Sequence, residues 1–269
     1  MSPRADRSVS GPASRRVARV LALFLASLAL AACVAAPPPA EAPGERALVV
    51  ASDLDNMPFA GVDEDGTPRG RDVEMMQALA RHMGRELSWK RIPFETLLPS
   101  AQAGLVDVVC ATVGITPERA EKVDFSETYF ETVIAVLVRS GVGEPRRWSD
   151  LDGKRVAAGA GTTSERAVRR VLPDARGIYQ NKRGLSPAER LLVGDVDAVA
   201  MDGPNADAAV AASAGALRLL DTPLSIERYA LALPKRHESL RRALDRALAA
   251  LTADGSMDAL NTRWGLAPR

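Results

Sequence analysis

The sequence contains few residues of the kinds that bind metals or form disulfides. Only two cysteines and two histidines occur among 269 residues, so a zinc site made from a Cys/His cluster is not expected. No G-x-S-x-G nucleophile motif, phosphate-binding P-loop or metal-binding motif is present. These absences predict a protein that uses neither a metal nor a cofactor.

The sequence also lacks an excess of either charge. It has 35 Lys and Arg against 34 Asp and Glu, which gives a formal net charge of +1. No stripe of basic residues runs along the chain, and nucleic-acid-binding proteins commonly carry one. A nucleic acid partner is therefore not expected.

No apolar run is long enough for a comfortable transmembrane helix. The run from Val20 to Ala32 follows an arginine-rich segment, and this layout is typical of a secretory signal. The run ends in the residues Leu30 to Cys33, which resemble the bacterial lipobox. The resemblance implies that residues 1–32 are removed, that Cys33 is acylated, and that the exported protein is anchored by lipid to the bacterial membrane on its periplasmic or cell-surface side.

Ordinary cleavage after an alanine, with Cys33 incidental, is the alternative. If Cys33 carries lipid, Cys110 has no partner for an intramolecular disulfide. Its place in the apolar run 108–111 predicts a buried small side chain rather than a nucleophile. The Pro/Ala-rich residues 33–45 then predict an extended tether before the folded part.

From residue 46 onward, apolar strand patterns alternate with helical ones, and the strongest strand pattern runs from Thr132 to Val138. Such alternation predicts an α/β fold with parallel sheets. Ligands of these folds bind beyond the carboxyl ends of the strands. Four strand ends carry polar or glycine-rich loops, at residues 53–56, 112–116, 159–164 and at Asp202, which favours a binding function.

The loop 112–116 is rich in hydroxyl groups and free backbone amides, and it leads into Pro117 at the start of a predicted helix. Arg119 is thereby placed beside a helix N-terminus, an arrangement suited to a carboxylate. A surface ion pair for Arg119 is the alternative.

Four sequence blocks together resemble one family. The first block is the strand and loop that end in Pro58-Phe59, and the second extends from Gly104 to Ser126. The third combines residues 151–156 with 161–163, and the fourth comprises residues 202–205. They resemble the bacterial extracellular solute-binding proteins of family 3, which are the amino-acid-binding proteins of ABC transporters. The likeness runs from about residue 46 to the end of the chain.

The resemblance implies a type II periplasmic-binding-protein fold, in which two Rossmann-like lobes are joined by a two-strand hinge and close on the ligand. By analogy, lobe 1 comprises residues 46–129 together with 229–269, and lobe 2 comprises residues 130–228. The implied partners are an amino acid and an ABC permease, and the protein is expected to be a monomer.

The resemblance also implies roles for single residues. Arg119 corresponds to the arginine that pairs with the ligand α-carboxylate. Thr163 corresponds to the residue that supports this carboxylate from the other lobe, and Asp202 to the aspartate that holds the α-ammonium group. Each has a structural alternative: an ion pair for Arg119, a helix cap for Thr163 and a turn for Asp202.

Five further residues are candidates for ligand contact. Phe94 matches an aromatic residue that packs along the ligand, and it could equally be core. Asn56 stands where many relatives have a second aromatic residue, and Asp53 lies nearby in the sequence. Thr112 and Gly114 occupy positions at which the hydroxyl residue and the glycine often occur in the opposite order. Asp53 and Asp55, two acids without an aromatic lid, favour a ligand with a polar side chain, although Asp55 could equally face solvent.

Two other functions are open. The same fold hosts arogenate or prephenate dehydratase-like enzymes, but His82 and His237 do not fall on strand-end loops. Glu95 and Glu165 are placed near the expected cleft, and Glu165 fits the first turn of a helix, where an acid is favoured. A binding protein for a solute other than an amino acid is the second alternative, and it should not depend on Asp202.

Overall fold

The computed structural model describes residues 46–141, 143–180 and 184–266, without the side chains of residues 179 and 180. The predicted signal segment, Cys33 and the tether lie outside the described residues. Within these ranges, no helix is long and apolar enough to cross a membrane.

The described chain forms eleven strands and eight α-helices. The strands are β1 (Leu48–Ser52), β2 (Gly61–Val62), β3 (Pro68–Arg69), β4 (Leu87–Arg91), β5 (Val108–Val109), β6 (Asp124–Arg139), β7 (Arg155–Gly159), β8 (Arg176–Gln180), β9 (Ala198–Asp202), β10 (Leu217–Leu219) and β11 (Ser225–Leu233). The helices are α1 (Arg71–His82), α2 (Phe94–Gln102), α3 (Pro117–Ala120), α4 (Thr163–Val171), α5 (Pro187–Leu192), α6 (Gly203–Ala212), α7 (Glu238–Ala253) and α8 (Ser256–Arg263).

Nine of the strands form one sheet in the order β4-β1-β5-β11-β6-β9-β7-β8, with β10 also pairing with β6. The strands at each end of this sheet are parallel: β1 pairs with β4 and β5, and β7 pairs with β8 and β9. The long strands β6 and β11 run antiparallel between these two parallel sets. The α/β class expected from the sequence is therefore confirmed, and its parallel strands end on the loops that were expected to bind a ligand.

Strand β6 is longer than the pattern from Thr132 to Val138 predicted. It extends from Asp124 to Arg139 because its first half also pairs with β11. Polar and apolar residues are mixed in this first half of the strand. Residues that pair near the middle include Phe130 with Tyr229 and Thr132 with Glu227. The two strands thus connect both halves of the sheet.

The two halves have separate apolar cores. The first is built from both ends of the chain and the second from its middle. The first includes Leu48, Val50, Phe59, Leu79, Phe130, Tyr229, Leu231, Leu248 and Leu266, and the second includes Ile134, Val136, Val156, Val168, Ala198 and Leu224. Phe130 packs in the first core, one residue beyond the predicted lobe boundary.

Cys110 is fully buried in the first core, in agreement with its apolar surroundings in the sequence. Burial raises the pKa of its thiol well above the usual range. The side chain therefore stays a neutral, small apolar group.

A buried ion pair begins helix α1. Gly70 precedes it with φ 130°, and a Cβ there would lie 2.3 Å from the Phe59 carbonyl oxygen, so only glycine fits this close approach. Arg71 and Asp72 are both completely buried and lie 3.0 Å apart. This burial was not predicted from the sequence, because residues 70–72 follow a polar turn.

The pair is enclosed by the strand that joins the two halves. The Arg71 guanidinium lies 5.2 Å from the Tyr129 ring centroid and 5.4 Å from that of Phe130, and it donates to Asn261 Oδ1 over 3.0 Å. The Tyr129 hydroxyl donates to Asp72 over 2.7 Å. Burial raises the pKa of Asp72, while Arg71 opposes the rise. The buried ion pair of Arg71 and Asp72 thus links helices α1 and α8 and strand β6.

Candidate functional site

Arg119 lies on the short helix α3, which follows strand β5 and its polar loop. The Thr116 hydroxyl caps this helix by accepting a hydrogen bond from the Arg119 backbone N–H, at 3.2 Å. The guanidinium donates to the Gly114 carbonyl over 2.7 Å and to the Gly161 carbonyl over 3.1 Å. It also lies 6.0 Å from the ring centroid of Phe94, the first residue of α2. Arg119 therefore joins the loops after β5 and β7.

Thr163 lies opposite Arg119 at the start of helix α4. The cap of this helix is Thr162, whose hydroxyl accepts from the Glu165 backbone N–H; Thr163 is the first helical residue, not the cap. The Thr163 methyl group approaches Gly114 so closely that a Cβ on Gly114 would lie 3.0 Å from it. Gly114 and Thr163, which were both predicted to contact the ligand, therefore meet across the cleft between the two loops.

Asp202 is the last residue of β9 and occupies the cap position of helix α6 without capping it through its side chain. Its carboxylate acts instead on the groups beside it. It raises the pKa of Glu227 and that of the buried Tyr229, and it stabilises the charged form of Arg119. Burial lowers the pKa of Arg119, so nearby anions offset the cost of placing this cation in the cleft.

Glu227, on strand β11, is a member of this site that the sequence reasoning missed. Only 6% of the residue is exposed, and its Oε1 atom has no hydrogen-bond partner among the described residues. Burial, together with the Asp202 carboxylate, raises its pKa to about 7, although Thr163 and Arg119 act in the opposite direction. The acid–base candidates in the sequence were two histidines, Glu95 and Glu165, and the structure adds Glu227, whose pKa is near neutral pH.

A second group of predicted residues forms the neighbouring wall. The Asn56 side chain donates to the Thr112 hydroxyl over 2.9 Å and accepts from the Asn205 side chain over 3.0 Å. Thr112 has φ 48°, in the left-handed region that a β-branched residue rarely adopts. Such backbone strain is found most often at functional sites.

Asp53 follows strand β1, and its backbone carbonyl accepts from the Arg91 side chain over 3.2 Å. Its side chain is half-buried. The contacts above bring Phe94, Gly114 and Thr163 together around Arg119, and they join Asn56 to Thr112.

Several hydrogen bonds among the described residues cross between the two loop systems. Besides the bond from Arg119 to Gly161, the Asn205 side chain donates both to Asn56 and to the Met57 carbonyl. Arg166 on α4 also donates to Glu118 on α3 over 2.5 Å. The Arg166 guanidinium holds the pKa of the exposed Glu118 carboxyl at about 2. The cleft is therefore closed in this structure.

Comparisons with known proteins agree on one family. The family model for the bacterial extracellular solute-binding proteins, family 3, matches residues 48–267. The L-cystine-binding protein TcyJ of Escherichia coli (strain K12) is 33% identical over 210 residues, which cover 77% of this chain and 78% of TcyJ.

Solved structures show the same similarity. An ancestral arginine-binding protein bound to arginine has a TM-score of 0.74 at 32% identity, with 82% of this chain and 99% of that chain covered. The arginine-, lysine-, histidine-binding protein ArtJ of Geobacillus stearothermophilus has a TM-score of 0.75 at 27% identity, with 83% and 97% covered. These neighbours have the type II periplasmic-binding-protein fold that the sequence led us to expect. The chain belongs to the bacterial extracellular solute-binding proteins of family 3.

Proposed function

We propose that this protein captures a polar amino acid for an ABC importer by closing its two lobes around the ligand. Arg119 binds the α-carboxylate, Thr163 supports that carboxylate from the opposite loop, and Asp202 binds the α-ammonium group. The observation that carries the proposal is the placement of Arg119. Its half-buried guanidinium lies between two loops and donates a hydrogen bond to one carbonyl of each.

The charges suit a zwitterion. A guanidinium fork can bind a carboxylate through two parallel hydrogen bonds, and an aspartate can hold an ammonium group. Asp202 is close enough to Arg119 to affect its pKa, so both ends of an α-amino acid can be reached in one site. The relatives named above bind cystine, arginine, lysine or histidine, all of which carry these two charged groups.

The remaining predicted residues surround the ligand in this proposal. Phe94 packs along the side chain, and the loop containing Thr112 and Gly114 supplies backbone groups to the carboxylate. Asn56 and Asp53 contact polar atoms of the ligand side chain. The two lobes comprise residues 46–129 with 229–269, and residues 130–228, and strands β6 and β11 form the hinge.

A thermal-shift screen of the purified protein against the standard amino acids tests this proposal. A ligand present at a hundred times its Kd should stabilise the folded state by about 2.7 kcal/mol. We expect L-arginine, L-glutamine, L-histidine or L-cystine to raise the melting temperature. A shift with sugars or other solutes that lack an α-amino acid group, and with no amino acid, would overturn the proposal.

Replacing Asp202 with asparagine is expected to weaken amino-acid binding about thirtyfold, ~2 kcal/mol, because the ammonium group loses its counter-charge but keeps a polar neighbour. Isothermal titration calorimetry measures the change. Asp207→Asn is the matched control, since Asp207 is exposed on the same helix α6. Equal affinities of Asp202→Asn and wild type would point to a solute without an α-ammonium group.

The proposal includes export and lipid anchoring through Cys33, on which a second experiment bears. Cys33→Ser should move the protein from the membrane fraction to the soluble fraction, since a serine cannot take the thioether-linked lipid. Immunoblotting of fractionated cells gives the result, with Cys110→Ser as the control. Retention of Cys33→Ser in the membrane would show that another segment anchors the chain.

A dehydratase-like activity is the second candidate, because Glu227 supplies a carboxyl group with a pKa of about 7 in the cleft. We expect the purified protein to leave arogenate and prephenate unchanged, as followed by chromatography of the products. Turnover that is lost in Glu227→Gln would replace the binding proposal with a catalytic one.

A further inference from the structure

The Glu227 side chain fills a space that Gly114 leaves open. A Cβ on Gly114 would lie only 1.6 Å from Glu227 Oε1, so the two positions exclude any larger residue at 114. The same Cβ would lie 3.0 Å from Thr163. The Glu227 carboxyl group therefore lies between two residues to which the proposed function assigns the ligand carboxylate.

We propose that Glu227 is a further ligand-contacting residue, which binds the ligand α-carboxylate as a protonated carboxyl group, so that capture of an amino acid takes up a proton from solvent. This inference rests on the proposed function, because it requires the carboxylate to bind beside Arg119. The reaction is balanced simply: ionised Glu227, one proton and the zwitterion give the complex with neutral Glu227.

The charges around Glu227 favour this form. Arg119 on α3 is the positive group that faces it, Asp202 at the end of β9 is the second negative group, Thr163 on α4 is a neutral hydroxyl, and the buried Tyr229 stays neutral because its pKa is raised well above its usual range. A ligand carboxylate would add a further negative charge beside Glu227. When two carboxylates share one site, one of them is protonated.

The Glu227 Oε1 atom, which lacks a hydrogen bond, supports the same role. It is buried and has no hydrogen-bond partner among the described residues, which is costly for an ionised oxygen. A protonated carboxyl group has a donor to offer, and a ligand carboxylate is an acceptor in the right position. Ligand entry therefore satisfies an atom that the closed cleft leaves without a bond.

The sign of the pH dependence follows. The Glu227 pKa is about 7, and a bound carboxylate would raise it further. Below pH 6 the residue is already protonated and affinity is constant. Above pH 7 a proton must be taken up, so affinity falls, and at pH 8 it is about tenfold lower than the plateau. A Glu227 that instead paired as an anion with the ligand ammonium group would make affinity rise with pH.

Titration calorimetry of the whole protein with L-arginine and with L-glutamine, between pH 5.5 and 8, tests the inference. Wild type should lose about tenfold in affinity toward pH 8 and should show net proton uptake when phosphate and Tris buffers are compared. Glu227→Gln keeps a donor but cannot ionise, so its affinity should stay near the wild-type plateau at every pH, without proton uptake.

Glu131→Gln is the matched control. Glu131 lies on the neighbouring strand β6, exposed and paired with Arg228, so this variant should keep the wild-type profile. His82 and His237 are exposed and outside the cleft, and all three proteins contain both residues.

A flat or rising wild-type profile, or a Glu227→Gln variant that keeps the wild-type slope or binds poorly at every pH, would overturn the role of Glu227 alone. Failure of wild type to bind any amino acid would overturn the proposed function with it. Melting curves of the three proteins establish that each is folded.

Discussion

Arg119→Ala is expected to reduce amino-acid affinity about a thousandfold, ~4 kcal/mol, measured by titration calorimetry. The variant removes the guanidinium fork for the α-carboxylate and leaves that carboxylate buried near Asp202 and Glu227 without a positive partner. It also removes the hydrogen bonds to Gly114 and Gly161, one of which crosses the cleft. Both losses act in the same direction.

Arg119→Lys separates charge from geometry. A lysine restores a positive charge but not the planar fork, so we expect an affinity between those of alanine and wild type. Arg166→Ala is the control, because Arg166 is half-exposed and its cross-cleft ion pair with Glu118 lies in solvent, where such pairs contribute little. If Arg166→Ala weakened binding as much as Arg119→Ala, closure and not carboxylate recognition would be the role of both arginines.

Arg71→Met is expected to lower the free energy of unfolding by about 3–5 kcal/mol. The substitution leaves the Asp72 carboxylate completely buried without its ion-pair partner, and it removes the bond from Arg71 to Asn261 that ties α1 to α8. Urea unfolding followed by circular dichroism measures the change. Arg69→Met is the control, since Arg69 is exposed two residues earlier and lies over the Trp264 ring.

The loss of unfolding free energy in Arg71→Met should depend on pH, and its direction can be worked out. Burial already raises the pKa of Asp72 in the folded state, and removing Arg71 raises it further. A carboxyl group of this kind favours the folded state only while it is protonated, so stability is lost as pH rises through the folded pKa. The variant should therefore be closest to wild type in acid. A double variant, Arg71→Met with Asp72→Asn, should recover part of the loss and remove the extra pH dependence, and equal losses in both variants would show that packing dominates.

Much of the fold and part of the site were predictable because their residues carry local signals. The strand-to-loop transitions after β5, β7 and β9 could be read directly from apolar runs that end in polar residues. Pro117 and Thr116 marked the start of α3, which fixed the neighbourhood of Arg119. The family comparisons support the fold class, whereas the ligand roles of Arg119, Thr163 and Asp202 stay predictions with the experiments above.

Glu227 could not be found in this way, because its burial depends on residues far away in sequence. The segment from Ser225 to Arg228 is mostly polar, with one apolar residue, so Glu227 looks solvent-facing in the sequence. The missing side chain at Gly114 and the approach of Thr163 help to enclose it. A glycine where relatives commonly have a hydroxyl was the one available signal, and it was interpreted as a departure from the family pattern.

Arg71 and Asp72 escaped prediction for a similar reason. Adjacent opposite charges after a polar turn are typical of an exposed helix start, where an acidic residue is favourable. Here Tyr129, Phe130 and Asn261 cover the pair, and these residues come from 58 to 190 positions away. Local pattern cannot report such contacts.

The first apolar core has a consequence for how the chain folds as it is synthesised. It unites Leu48 with Leu266, so the chain must be synthesised as far as residue 266 before this core can close. The second core needs only the middle of the chain, from Ile134 to Leu224, and can form earlier. Contacts between distant positions slow folding, so we expect the first core to close after the second.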